Sequence, residues 1–167
     1  MKRALIPVVA LVLALGLAQP AAAHYRAHGD ARDTSGGLDI ARTRLRLVDC
    51  GCGGGRDVVI VVRTYEDLPG YGWFTMDLDS RGGGHRDRYV EGMWDLASSG
   101  FQAILYRSNG DIIGSVRGRV GDDSFRVRFP FRLLRHTKHI RWRVSTTLRS
   151  PDFELTDLAP DAGWYRH

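Results

Sequence analysis

The sequence predicts an all-β protein: an antiparallel β-sandwich, jelly-roll or immunoglobulin-like, with about eight strands behind an N-terminal leader. Three observations predict it. Short segments rich in branched and aromatic residues recur at regular intervals, turn-forming residues fill the gaps, and no window long enough for an amphipathic helix keeps a 3.6-residue period. Short strands joined by tight turns favour a sandwich over a closed barrel.

Residues 1–23 read as a cleavable signal peptide. Lys2 and Arg3 give a positive start, Leu5 to Ala18 form an apolar run, and Ala21, Ala22 and Ala23 supply the small residues that the peptidase needs. The run is shorter than the roughly 20 apolar residues of a membrane anchor, and no later stretch replaces it. No cysteine at the cleavage point offers a site for a lipid. The expectation is a secreted, extracellular protein cleaved near Ala23 and not inserted in a membrane. Losing Lys2 and Arg3 brings the formal charge from +5 to +3.

Residues 24–37 are small, polar and aperiodic, as a flexible arm is. Residues 38–167 are of single-domain size. Within them Thr43 to Val48 alternates like a half-buried strand, and Asp57 to Val62 is a continuous apolar run like a fully buried one. Further strands are predicted over Gly72 to Leu78, Arg88 to Trp94, Phe101 to Arg107, Asp111 to Val120, Ser124 to Phe129 and Lys138 to Leu148. Gly51 to Gly55, Ser80 to Gly84, Ser98 to Gly100, Asn109-Gly110 and Gly121 to Asp123 turn the chain between them. Pro130 to His136 hints at one helical turn.

Asp39-Ile40 leading into two strands, then Met76-Asp77-Leu78-Asp79 running into Gly82-Gly83-Gly84 and Arg88-Tyr89, and the closing Asp157 to Trp164, resemble secreted actinobacterial domains related to DOMON modules. The resemblance implies the sandwich shared with family 9 carbohydrate-binding modules, and a ligand that is a sugar or a haem. Haem is disfavoured, because Met76 and Met93 follow the leader without a histidine beside either to complete an axial pair.

Arginine is the dominant cation: Lys2 and Lys138 are the only lysines among 24 basic residues. Arg44 and Arg46, Arg117 and Arg119, Arg126 and Arg128, and Arg141 and Arg143 repeat at i, i+2, which puts each pair on one face of a strand. Neighbouring strands of this kind would make a guanidinium field able to bind sulfate, phosphate or uronate groups; the alternative is an ordinary solvated face. Arg117, Arg119, Arg126 and Arg128 are therefore candidate ligand contacts for an anionic envelope polymer. Nucleic acid is not expected, since the charge is modest and no recognition motif accompanies it. Tyr71, Trp73 and Trp94 are candidate rings for stacking on a sugar, although large aromatics more often fill cores.

Three metal or redox candidates accompany these. Asp77, Asp79 and Asp87 bracket a glycine-rich turn as Ca²⁺ ligands do, but Arg81 and Arg88 stand where an EF-hand-type loop wants ligands. His24 becomes the amino terminus if cleavage follows Ala23, and its amine and ring could then hold copper. Cys50 and Cys52 could bridge across a tight turn in an oxidising setting, link chains, or act as a dithiol. So small a ring restrains the unfolded chain little, and redox catalysis ordinarily needs Cys-x-x-Cys at a helix start. The only glutamates, Glu66, Glu91 and Glu154, stand in unrelated contexts rather than as a hydrolytic pair, and no serine lies in a nucleophile-elbow motif. A non-catalytic carbohydrate- or polymer-binding domain that requires no cofactor is the expectation; a copper protein using His24 and an accessory structural protein are the alternatives.

Overall fold

Alternation of apolar and polar residues, strand after strand, gives two antiparallel sheets that bury one face of each against the other. A computed structural model of the protein describes residues 25–33, 38–51, 54–134, 139–149 and 154–167. Residues 1–23, expected to be a signal peptide, and His24, Cys52 and His136 lie outside these residues. The strands are β1 (Tyr25–Gly29), β2 (Ile40–Asp49), β3 (Arg56–Thr64), β4 (Tyr71–Asp79), β5 (Arg88–Asp95), β6 (Gly100–Arg107), β7 (Ile112–Ser115), β8 (Arg117–Val120), β9 (Ser124–Pro130), β10 (Arg141–Arg149), β11 (Glu154–Ala159) and β12 (Tyr165–Arg166), with a 3₁₀ turn at Phe131–Leu134. The first sheet runs β1-β2-β3-β9-β8. The second runs β11-β10-β4-β5-β6-β7, with β12 also paired to β10. The protein is an antiparallel β-sandwich, and no described helix is long and apolar enough to cross a membrane.

Each of the eight predicted strands is present, and the differences lie at the ends and at one corner. The expected strand over Asp111 to Val120 is two strands: β7 pairs with β6 in the second sheet, Val116 donates its N–H to Ala103 O (3.0 Å), and the chain then enters the first sheet as β8. Strand β1 lies within the segment expected to be a loose arm. It is held by pairing with β2, from Tyr25 opposite Arg46 to Gly29 opposite Arg42. Strands β11 and β12 both pair with β10.

The inward positions supply the core. Leu45, Ile60, Val62, Phe125, Val127 and Phe129 of the first sheet meet Phe74, Met76, Val90, Trp94, Leu105 and Trp142 of the second. Phe74, Trp94 and Phe125 form one ring cluster, with centroids 4.6–6.5 Å apart, and Phe101 stacks on Phe74 at 5.5 Å. Three glycines make room for it. A Cβ on Gly72 would overlap the Trp94 ring lying opposite, one on Gly92 would overlap Phe74, and one on Gly118 would overlap Phe101. Polar stitches cross between sheets at the other end: Trp142 Nε1 donates to Thr43 Oγ1 (3.2 Å), Thr146 Oγ1 to Leu38 O (2.7 Å), and Ile40 N to Asp157 Oδ2 (2.7 Å).

Gly118→Val forces a branched side chain into Phe101 at the corner where the chain changes sheets. The expected loss is about 2 kcal/mol, the usual cost of overpacking a filled core. Urea unfolding of the variant checks it, and a loss below about 0.5 kcal/mol, the ordinary scatter of surface substitutions, contradicts this account of the corner.

Candidate functional site

Three of the four arginine pairs come together on the outer face of the first sheet. Alternation turns Leu45, Ile60 and Val127 inward and Arg42, Arg44 and Arg46 of β2, Arg63 of β3, Arg126 and Arg128 of β9, and Arg117 and Arg119 of β8 outward. Register aligns them in rows. Arg46, Val59, Arg128 and Arg117 form one row, Arg44, Val61, Arg126 and Arg119 the next, and Arg42, Arg63 and Ser124 a third. Adjacent strands lie about 4.8 Å apart, and successive rows about 7 Å.

Within these rows Arg117 faces Arg128, Arg119 faces Arg126, and Arg42 faces Arg63 directly across adjacent strands. Like charges in such positions repel, at roughly 0.2–1 kcal/mol per pair. Asp57 is the one acid at an outward position of the four strands, and its carboxylate binds Arg128 Nε at 2.6 Å. Arg42, Arg63, Arg117, Arg119 and Arg126 make no ion pair among the described residues. Val59 is buried although it points outward, as expected where arginine stems lie over it.

The fourth pair does not belong to this field. Arg141 and Arg143 are on β10 in the second sheet, opposite Asp79 and Asp77. Arg143 Nε binds Asp77 at 2.8 Å, with its guanidinium also over the Trp164 ring, and Arg141 Nε lies 3.9 Å from Asp79.

The acidic loop is closed by the protein's own donors. Asp79, fully buried, accepts the N–H groups of Arg81 (3.1 Å), Gly82 (2.7 Å) and Gly84 (2.7 Å). Asp87 accepts Ser80 N and Oγ at 3.0 and 2.7 Å, and Asp77 is shared by Arg143 and Arg86. These three carboxylates staple the β4–β5 turn, and they are not among the carboxylate groups whose oxygens converge closely enough for one cation.

Such convergence occurs elsewhere. Oxygens of Asp30, Asp157 and Asp161, and of Asp33, Asp39 and Asp157, lie within 4.8 Å of one another where the end of β1 meets the start of β2 and the end of β11. Oxygen donors of this kind are what Ca²⁺ takes. Burial and then the charges of Asp161, Asp157 and Asp33 push Asp30 up to about 6. Asp157 is raised by burial against the pull of the Ile40 N–H, and Asp161 by the Asp33 charge. The five aspartates come from two segments more than 100 residues apart, so sequence spacing could not bring them together.

The candidate stacking rings divide. Trp94, expected among them, is wholly buried and donates Nε1 to Pro69 O (2.9 Å); it is a core residue, because it shares the inward parity of Val90. Tyr71 and Trp73 are 45% and 37% exposed and pack edge to face at 5.7 Å on the outer face of the second sheet. Cys50 follows β2, and its N–H donates to Gly55 O (2.9 Å).

The aspartate cluster sets a pH dependence. Asp30 binds its proton more tightly in the folded chain (about 6) than at its ordinary 3.8, so folding takes up protons between these values. Its contribution to stability is present at low pH and is lost as pH rises through that window. Asp30→Asn should flatten the fall in Tm between about pH 4 and 6.5 and raise Tm at pH 7, read by thermal unfolding in a metal-free buffer series. An unchanged slope would show that the cluster does not carry the effect.

The chain matches no family model, no curated protein and no solved structure in comparisons with known proteins.

Proposed function

We propose that the protein is a secreted, non-catalytic binding domain for an anionic polysaccharide, which it engages through the outer face of β2, β3, β9 and β8. One observation carries this reading: three arginine pairs stand directly opposed on adjacent strands, with a single carboxylate at an outward position among them. A face selected only for solubility would gain from interleaving acids here, and Asp57 alone does so.

The chemistry of the rows favours carboxylate or sulfate groups. Guanidinium groups bind such anions through paired N–H donors, and here they are spaced along two directions of a sheet, as a chain of repeating anions requires. The outward positions of β2, β3, β9 and β8 carry no aromatic ring for base stacking, which argues against single-stranded nucleic acid. The resemblance to DOMON-like and family 9 sandwiches agrees with a saccharide ligand, and the binding needs no cofactor.

Arg119→Glu tests the reading with opposite effects on two measurements. The glutamate faces Arg126, turning a repulsive pair into an attractive one, so stability should rise by about 0.5 kcal/mol. Binding to polygalacturonate or heparin, followed by affinity electrophoresis, should weaken about tenfold or more at low ionic strength. For the parent protein, binding should fade as salt approaches about 0.5 M. Equal retardation of parent and variant, or retardation by single-stranded DNA in preference to every polysaccharide, sinks the proposal.

A further inference from the structure

The outer face of the second sheet carries a groove that the arginine field does not explain. It has a volume of about 340 Å³ and lies over β10, β4, β5 and β6. Register places Thr147, Trp73, Met93 and Gln102 in one row, and Ser145, Thr75, Glu91 and Ile104 in the next. The strand spacing sets Trp73 and Gln102 about 10 Å apart across the sheet.

We propose that this groove is a separate binding site for a neutral glycan, with one pyranose ring stacked on Trp73. Three features of the chain support it. The Trp73 ring is presented on a firm base, since Tyr71 packs against it at 90° and the Tyr71 hydroxyl donates to Arg149 O (3.0 Å). Met93, 37% exposed, and Ile104 extend an apolar floor beside the ring, of the kind that suits the C–H face of a sugar. Glu91 and Gln102 rise from that floor with no side-chain hydrogen bond or ion pair among the described residues, so an acceptor pair and an amide are available for vicinal hydroxyls.

The charge at the groove decides between sugar classes. Arg149, at its end, is bound by Glu154 at 3.0 Å, which leaves Glu91 as the uncompensated charge within the lining. A uronate or sulfated unit would meet a like charge there, whereas neutral hydroxyls meet a strong acceptor. The two sheets thereby present opposite preferences: the first takes polyanions, and the second takes uncharged glycans.

The test titrates the purified protein calorimetrically with neutral hexasaccharides of β-linked glucose, mannose, xylose and N-acetylglucosamine. At least one should bind, and Trp73→Ala should weaken it about tenfold or more, the size expected when a central aromatic contact is removed. Glu91→Gln, which keeps shape and removes only charge, should weaken the same ligand several-fold with unchanged Tm. Arg119→Glu should leave it untouched, which separates this site from the polyanion face. The inference is overturned if none of the four binds at millimolar concentration, if Trp73→Ala and Glu91→Gln bind as the parent does, or if Arg119→Glu abolishes binding.

Discussion

The interlock of rings and glycines in the core is the constraint on which the two outer faces depend. Trp94 lies where Gly72 has no Cβ, and Phe101 lies where Gly118 has none. These contacts hold β4 against β5, and β8 against β6 at the corner, in one register. Because strand side chains alternate with a period of two, a slip by one residue would bring Arg117 and Arg119 inside and Gly118 and Val120 out. The arginine rows are therefore a product of apolar packing on the reverse side of the same strands.

Identical local patterns acquire different electrostatics through their partners. Arg126-Val127-Arg128 and Arg141-Trp142-Arg143 are both alternating arginine segments. The first is paired with β8 and β3, whose outward residues are arginine and valine. The second is paired with β4, whose outward residues at the same level are Asp77 and Asp79. Charge balance on β10 comes from a strand more than 60 residues away. Nothing local to either arginine pair could separate them.

That contrast describes how far the sequence was legible. Strand positions were readable because alternation and turn residues are local signals, and Asn109-Gly110 or Ser80 to Gly84 mark turns wherever they occur. The parity that buries Trp94 and exposes Trp73 was readable too: Trp73 is out of phase with Phe74, Met76 and Leu78, while Trp94 is in phase with Val90. What was not readable depends on pairing at long range. Strand β1 is polar and exists through β2, the strand over Asp111 to Val120 divides because its halves find different sheets, and the aspartates gather from segments more than 100 residues apart. The groove is likewise assembled by the pairing of β10 with β4.

The molecule holds two concentrations of like charge, and they differ in what solvent can do for them. The aspartates at the seam are partly removed from water, and burial first, with neighbouring charge added to it, raises the proton affinity of Asp30 and Asp157. The arginines lie on an open sheet face, where water and salt screen them. Repulsion across that face would be relieved by bound anions. The proposed polymer, bearing several anions, would remove it at several rows together, and because only the folded chain presents the rows, such binding would draw the equilibrium toward the native state. In the proposed complex the unfavourable register of Arg117 with Arg128, Arg119 with Arg126 and Arg42 with Arg63 would become a favourable one, which would couple the affinity of the face to the integrity of the sandwich that builds it.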